Sequence, residues 1–356
     1  MTGIRELARE CGVSVATVSR ALNGHPEVSA ATRLQIQEAA ARMGYRPSQS
    51  ARALVRGRSD TVGLLWDTGY GATGLRHPFL ESLLVGVKRA LGASGRHLLL
   101  LNVDDRDPGA QAYVDAARQH QLEGMVLMGV DADRPAARAL LDSGMPCVAL
   151  DMPVKGPHAS YVTSDNYAGA VTAVQHLHSL GHRRIATIAG PVEMLPAEAR
   201  LAGFRTAIAE CGLDLPKDYV QAGDFFPDSG YEAGQRLAGL ARRPTAVFVA
   251  GDEMAIGAMH AFADRGIDIP GEIAVVGFDD IEAANLVRPA LTTIAQDPLG
   301  LAAAAVELLI TLIGAASGGR PGRGAVTGTS GPVTPFGPGI VPTKLIVRRS
   351  STLSGG

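Results

Sequence analysis

The 356-residue sequence predicts a small all-α N-terminal head, a short hinge helix, and an α/β body of two doubly wound parallel-sheet subdomains. Three observations predict it. Apolar residues recur at helical spacing through the first 45 positions, punctuated by glycines. From Thr61 onward, short apolar runs of strand length alternate with amphipathic stretches, the pattern of parallel strands buried on both faces. The charge is also divided: residues 1–58 hold nine arginines, no lysine and four carboxylates, a net +5, whereas the remainder carries −7 within an overall −2. A basic head on an acidic body points to a polyanionic partner for the head alone.

In the head, Ile4, Leu7, Ala8 and Cys11 share one helix face, and Gly12 supplies a stop. Ser14 can cap a second helix in which Val15, Val18 and Leu22 share a face. Ser29 can cap a third, with Ile36, Ala39, Ala40 and Met43 inward and Gly44 at its end. Two helices joined by the tight turn at Cys11-Gly12-Val13-Ser14 form a helix-turn-helix, whose second helix enters the major groove of DNA. That helix shows Val15, Ala16, Thr17, Ser19 and Arg20 on its outer side. Ser14, Thr17 and Ser19 are short donors suited to phosphates, and Arg20 can pair with a guanine edge. Val15 and Ala16 offer apolar contact only, for instance to a thymine methyl.

Residues 47–58 read as a hinge helix or linker, with Pro47 able to open a helix and Gly57 closing it. A helix so short does not hold alone in water, which suits a segment that folds only when packed. In the body, strands are expected at 61–66, 97–102, 124–128, 147–150, 185–189, 246–250 and 273–277. Helices are expected at 79–93, 110–120, 134–143, 167–180, 198–211, 229–240, 253–265 and 298–313. Ligands of such folds bind at the carboxyl ends of the strands, so the cleft between the two sheets is the expected site. Residues 314–340, rich in Gly, Pro, Ser and Thr, read as a disordered insertion before a last strand near 343–348.

The run Gly12-Val-Ser-Val-Ala-Thr-Val-Ser-Arg-Ala-Leu-Asn23, followed by Val28-Ser29, Thr32-Arg33 and Gly44-Tyr-Arg-Pro47, closely resembles the head of the lactose/galactose-repressor (LacI/GalR) family. The resemblance continues through Ser164-Asp-Asn166, Gly181-His-Arg-Arg-Ile185, Arg200-Leu-Ala-Gly-Phe204, Gly251-Asp252, Val276-Gly-Phe-Asp-Asp280, Leu291-Thr-Thr-Ile294 with Gln296-Asp297, and Leu345-Ile-Val-Arg348. It implies a periplasmic-binding-protein-like body and a transcriptional regulator, usually a homodimeric repressor, whose grip on a near-palindromic double-stranded DNA operator is controlled by a small-molecule effector. Val15, Ala16 and Arg20 would read bases; Ser14, Thr17, Ser19, Asn23, Ser29 and Thr32 would hold the backbone, with Tyr45 beside them. In the hinge, Leu54 matches a leucine that wedges into the minor groove, and Ala51 the small residue next to it. For the effector, Arg200 and Asp279 match hydrogen-bonding positions, and Asp151, Asp252 and Gln296 join them. Phe79 and Phe225 match positions that stack on a pyranose; simple burial in the core is the other reading of both. A sugar is the first reading of the effector, a mono- or oligosaccharide, and a purine the second.

The implied domains are 1–46 for the head, 47–58 for the hinge and 59–350 for the body. The N-subdomain takes 59–163 with 292–313, the C-subdomain 164–291 with 341–350. Two departures from the family bear on the effector. Gly251 stands where Asn is frequent, which removes a ligand amide, and Trp66-Asp67 leads into a glycine-containing loop over 68–77.

Other function classes find less support. A solute receptor needs export, but Met1 to Glu6 lacks the basic-then-apolar order of a signal peptide and no apolar run is expected to span a membrane; a cytoplasmic address is expected. An enzyme on this fold would show a phosphate-cradling glycine motif or a supported nucleophile, and the stretch after Trp66 has no Lys-Ser/Thr. No cofactor and no metal are expected. Cys11, Cys147 and Cys211 lie far apart in no metal-binding spacing, and His176, His178 and His182 read as structural histidines. Only 4% of residues are aromatic, so the core must rest on Ala, Leu and Val.

Overall fold

The computed structural model describes residues 3–22, 25–45, 59–66, 77–101, 109–317 and 337–352. The chain divides into two compact units, Met1–Asp60 and Thr61–Gly356. The expected hinge at 47–58, and with it Ala51 and Leu54, lies outside the described residues, as does Asn23.

The first unit holds helices α1 (Ile4–Glu10), α2 (Val15–Leu22) and α3 (Ala30–Arg42). Gly12 and Gly44 both take φ of +63°, the left-handed conformation that a Cβ disfavours and that these helix ends need. Ser29 caps α3 as its position predicts, its Oγ accepting from the Thr32 N–H at 3.1 Å. Leu7, Ala8, Cys11, Val18, Ala21, Val28, Ile36, Ala39 and Ala40 form the shared core. Val15 points out rather than sharing the inward face of Val18.

In the second unit one sheet is built from β1 (Thr61–Trp66), β2 (His97–Leu101), β3 (Gly124–Met128), β4 (Cys147–Leu150), β5 (Ala159–Ser164) and the late strand β11 (Gly339–Val341), in the order β11-β5-β4-β3-β1-β2. The other holds β6 (Ile185–Ala189), β7 (Val220–Ala222), β8 (Ala246–Val249), β9 (Ala274–Asp279), β10 (Thr292–Ala295) and β12 (Lys344–Ile346), in the order β12-β10-β9-β8-β6-β7. Every described pairing is parallel except β12 against β10. Helices α4 (Pro78–Ala93), α5 (Ala112–Gln119) and α6 (Pro135–Asp142) flank the first sheet, and α7 (Asn166–Ser179), α8 (Leu195–Glu210), α9 (Pro227–Ala238), α10 (Asp252–Asp264) and the short α11 (Glu282–Leu286) belong with the second. Apolar clusters cover both faces of each sheet, the doubly wound arrangement predicted from the strand–helix alternation.

The boundaries of the subdomains and of the insertion differ from expectation. The last long helix, α12 (Pro298–Ala316), runs past 313, so the start of the expected insertion is helical, and its end enters β11 at Gly339. Residues 292–295 form β10 in the second sheet, so the chain leaves the C-subdomain after them and not before. Val341 pairs in the first sheet, which puts the final return at residues 342–343. Helix α12 also corrects the expectation about membrane-length segments: it is long and apolar enough to cross a membrane. Here it packs instead as a core helix, burying Leu301, Ala302, Ala305, Val306, Leu309, Leu312 and Ile313 against the first sheet and α4. Asp297 caps it, accepting from the Gly300 N–H at 2.8 Å, and Pro298 begins it.

Candidate functional site

On the head, the outer side of α2 carries Val15, Ala16 and Arg20 exposed and Thr17 and Ser19 half-buried, as the sequence predicts. Ser14 Oγ accepts from the Thr17 N–H at 3.1 Å and lies 2.9 Å from Thr17 Oγ1. The Ser29 and Thr32 hydroxyls are likewise 2.8 Å apart. These serines therefore serve as helix caps and present their hydroxyls, with the threonines', at helix N-termini, where backbone N–H groups favour a phosphate. Arg20 reaches Glu27 at 3.5 Å, an exposed pair that leaves the guanidinium in solvent. Tyr45 packs half-buried against the head core.

In the body, the strand ends bring most of the predicted residues together. Asp151 follows β4, Asp279 ends β9, Gln296 follows β10, and Arg200 comes up from α8. Arg200 is buried, at 3% exposure, and so are Asp279 and Gln296 at 6% and 7%. Asp279 Oδ1 accepts from Gln296 Nε2 at 2.6 Å and from Arg200 Nη1 at 3.4 Å. Arg200 Nη1 also donates to the Ala250 carbonyl at 2.5 Å, and its Nε donates to Asn166 Oδ1 at 2.8 Å. Asn166 in turn donates to Thr163 Oγ1 at 3.1 Å, and Thr163 donates to Asp151 Oδ1 at 2.7 Å. A continuous chain of hydrogen bonds thus runs from Gln296 through Asp279, Arg200 and Asn166 to Asp151, along the crossover from β5 to α7.

The guanidinium of Arg200 lies 3.7 Å above the centre of the Phe278 ring and 5.8 Å from that of Phe225. Such stacking suits a planar, weakly hydrated cation removed from water. The Phe225 ring stands beside Arg200. Phe79 does not stack there: it is packed in the core of the first sheet with Leu83 and Leu301, the other reading of that residue. Gly251 acquires a steric reason. A Cβ there would sit 3.2 Å from the Phe225 ring and 3.6 Å from Asp279 Oδ2, and one on Gly190 would strike Phe225 head-on. Both glycines make room for that ring.

Asp252 differs from the other carboxylates. It is fully buried, and both its oxygens are engaged by the chain itself, Oδ1 by Thr293 Oγ1 at 2.6 Å and Oδ2 by the Ile281 N–H at 3.0 Å. Its place is beneath the site, where it holds the turn that follows β9, and this corrects its expected role as a direct ligand. That turn needs holding. Asp279 and Asp280 take φ of +117° and +60°, and Asp151 and Phe225 take +56° and +73°, so four of the six non-glycine residues with positive φ among the described residues line this one region. Backbone strain clusters at functional sites, so its concentration here supports reading this region as one. Asp280 itself is drawn away, paired with Arg348 Nη2 at 2.7 Å.

Burial shapes the electrostatics. It raises the Asp151 carboxyl against the opposing hydrogen bond from Thr163 and the charge of Arg200, and it lifts Asp252 well above the usual carboxylate range, with Asp279 adding to the effect. The Arg200 guanidinium is pushed down by burial, while Asp279, Asp151 and Asp252 push it back up.

The sequence reading did not single out His77, Asn166 or Glu253. His77 precedes α4 on the first subdomain and is 8% exposed; Glu253 stands at the start of α10 on the second. Their side chains meet across the cleft with Nε2 and Oε2 3.9 Å apart. The His77 ring also meets Phe225 and Phe226 edge-on, at 6.5 and 6.2 Å between centres. Burial lowers the His77 pKa, with Asp279 opposing, and raises that of Glu253 to about 7, with Asp279 and Glu81 adding to it. His176 and His182 are structural, bonded to Ser351 Oγ and Thr245 Oγ1 at 2.9 and 3.1 Å.

Comparison with known proteins accords with both halves of this geometry. Residues 3–48 match the bacterial regulatory proteins of the lacI family, and residues 174–351 match the periplasmic binding protein-like domain. The ribose operon repressor of Escherichia coli (strain K12) is 32% identical over 311 residues, 87% of this chain and 92% of the relative. The chain belongs to the LacI family of bacterial regulatory proteins. Its relatives in that family include the HTH-type transcriptional regulator CelR of Thermobifida fusca, 36% identical over 82% of this chain and 85% of the relative. Among solved structures, a lac repressor dimer bound to operator and an anti-inducer superposes with a TM-score of 0.81 at 26% identity, covering 99% of each chain. A CelR–cellobiose complex does so at 0.70 and 30%, covering 98% of this chain and all of that one. LacI-family membership makes this chain an effector-controlled DNA-binding regulator of transcription, with the head as its nucleic-acid surface.

Proposed function

We propose that this chain is a cytoplasmic homodimeric repressor that holds a near-palindromic operator and changes its hold when a saccharide occupies the cleft around Arg200. The observation that carries this reading is the buried chain Gln296–Asp279–Arg200–Asn166–Thr163–Asp151, which ties a polar site at the strand ends to a segment joining the two subdomains. An effector that competes for Arg200 or Asp279 acts on the crossover at once. The effector shifts the operator equilibrium only through unequal affinity for two subdomain arrangements, with a coupling of about 1–3 kcal/mol. The role is regulatory and not enzymatic: the polar groups of the cleft serve to bind, and the DNA-reading helix is what gives binding a consequence. Asn23, Ala51 and Leu54 are proposed to add backbone and minor-groove contacts.

The test is a band shift with the purified chain on duplexes from its own gene neighbourhood against scrambled duplexes of equal length, with and without saccharides. Preference for one near-palindromic duplex, altered by a saccharide, is expected. Equal retention of all duplexes at every salt concentration would remove the reading.

A further inference from the structure

Taking the effector to be a saccharide, we infer that Glu253 selects it by excluding anionic forms such as phosphate esters. The inference rests on the cleft being the effector site. Among the described residues, the cation in the cleft is Arg200, and its charge is already answered. Asp279 lies 3.4 Å from Nη1, the Ala250 carbonyl accepts from the same nitrogen, Asn166 takes Nε, and the Phe278 ring covers one face. Around it stand three carboxyl groups, Asp279, Asp151 and Asp252, and Glu253 lies near Asp279. A phosphate ester carries about −1.5 to −2 at neutral pH, and among the described residues it would meet no uncommitted cation there.

The polar atoms still without a partner state what the ligand must bring. Gln296 donates through Nε2 to the Asp279 carboxylate, which can only accept, so the side-chain atom left over is the acceptor Oε1, buried and without a partner. Glu253 Oε2 is likewise buried and without a hydrogen bond, and so is His77 Nδ1. Gln296 and His77 are each more than nine-tenths buried. Gln296 Oε1 and the ionised Glu253 Oε2 therefore offer acceptors to a donor, while His77 Nδ1 takes either role according to its tautomer, and buried acceptors left unmatched are costly. Hydroxyl groups supply donors without charge, and the edges and faces of Phe225 and Phe226 suit the apolar face of a sugar ring. Glu253 is the group placed to discriminate. It faces His77 across the cleft, with Glu81 and Asp279 as its charged neighbours, so an anion brought there meets carboxylates from both subdomains.

Isothermal titration of the full chain at pH 7.5 with D-glucose and glucose 6-phosphate, D-ribose and ribose 5-phosphate, cellobiose, and glucosamine tests this. At least one uncharged sugar is expected to bind, and a phosphate ester of a bound sugar to bind at least about tenfold more weakly. Glu253→Gln should narrow that ratio severalfold while Glu253→Asp preserves it, with thermal unfolding confirming that both variants fold. An ester that matches or surpasses its parent, a preference for glucosamine over glucose, or silence from every uncharged sugar overturns the inference; an unchanged ratio in Glu253→Gln removes Glu253 as the selector. The band shift reads operator preference independently: a chain that prefers one duplex yet binds an ester tightly loses this inference and keeps its proposed function.

Discussion

The head and the cleft do their chemistry under opposite conditions. On the head, the side chains proposed to read DNA stand in solvent: Arg20 is more than half exposed, and its partner Glu27 at 3.5 Å is more exposed still. In the cleft, Arg200 and Asp279 are almost completely removed from water and are satisfied only by one another and by Asn166, Gln296 and the Ala250 carbonyl. A surface meant for DNA leaves its charges free for phosphates and base edges, which the solvent dielectric makes inexpensive. A site meant to sense a ligand must instead hold its charges in a closed network, so that a ligand's arrival forces a rearrangement. The same residue type therefore has different consequences when removed.

The largest effect is expected from Arg200→Ala. It strands Asn166 Oδ1 without its donor and leaves the Asp279 carboxylate without its cation, and breaking a buried pair on one side costs about 3–5 kcal/mol. Urea unfolding of the full chain should show a loss of that order, and the effector response in the band shift should vanish. Arg20→Ala should show the reverse pattern: stability unchanged within about 0.5 kcal/mol, but operator preference over scrambled DNA reduced by about 1–3 kcal/mol. If both arginines cost the same stability, or if Arg20→Ala weakened all duplexes equally, the contrast between the two regions would fail.

That contrast also explains what the sequence could and could not disclose. The head is built from local signals. Gly12, Ser14, Ser29 and Gly44 each act within four residues of themselves, and each does in the structure what its position implies. Strands β1, β3, β4 and β6 are predominantly apolar runs and match their expected bounds. Strand β5, Ala-Ser-Tyr-Val-Thr-Ser, and β10, Thr-Thr-Ile-Ala, escaped because their polar side chains are spent on tertiary bonds: Thr163 on Asp151, Thr293 on Asp252. The short β7, Val-Gln-Ala, carries too little pattern to show. Within the site, the family resemblance drew attention to Arg200, Asp279, Gln296 and Phe225, and position at a strand end did so for Asp151; the structure brings these five side chains into one region. Asn166 sat inside a recognised motif, Ser164-Asp-Asn166, yet its bond to Arg200 spans 34 residues and needs the fold. His77 and Glu253 meet only because two helix starts face each other across the cleft, a relation that no local pattern carries. Phe79 failed for the opposite reason: one residue into α4, it turns into the core.

A smaller effect tests whether the head's caps are structural as well as DNA-facing. Ser29→Ala removes the acceptor for the Thr32 N–H and should cost about 1 kcal/mol, whereas Ser29→Asn, an equally good cap, should cost little. Faster amide exchange over 30–42 in the alanine variant alone, measured on the full chain, is the expected result. Equal exchange in both variants would show that the head core around Ile36 holds α3 without its cap.

The last effect, spread over several pH units, concerns the pH response of the cleft, where Glu253 is the group to follow. Burial, with Asp279 and Glu81 nearby, raises its pKa from 4.5 to about 7. Between those values the folded chain keeps a proton that the unfolded chain has released, so this residue's contribution to stability falls as pH rises from about 4.5 and levels off above about 7. Glu253→Gln carries no such proton and should flatten that part of the profile, leaving the variant relatively more stable than the parent at pH 8 and relatively less so at pH 5. Urea midpoints for both chains across this range measure the difference. Parallel profiles would mean that water reaches Glu253 freely, and the cleft would then be closer in character to the open surface of the head than its burial implies.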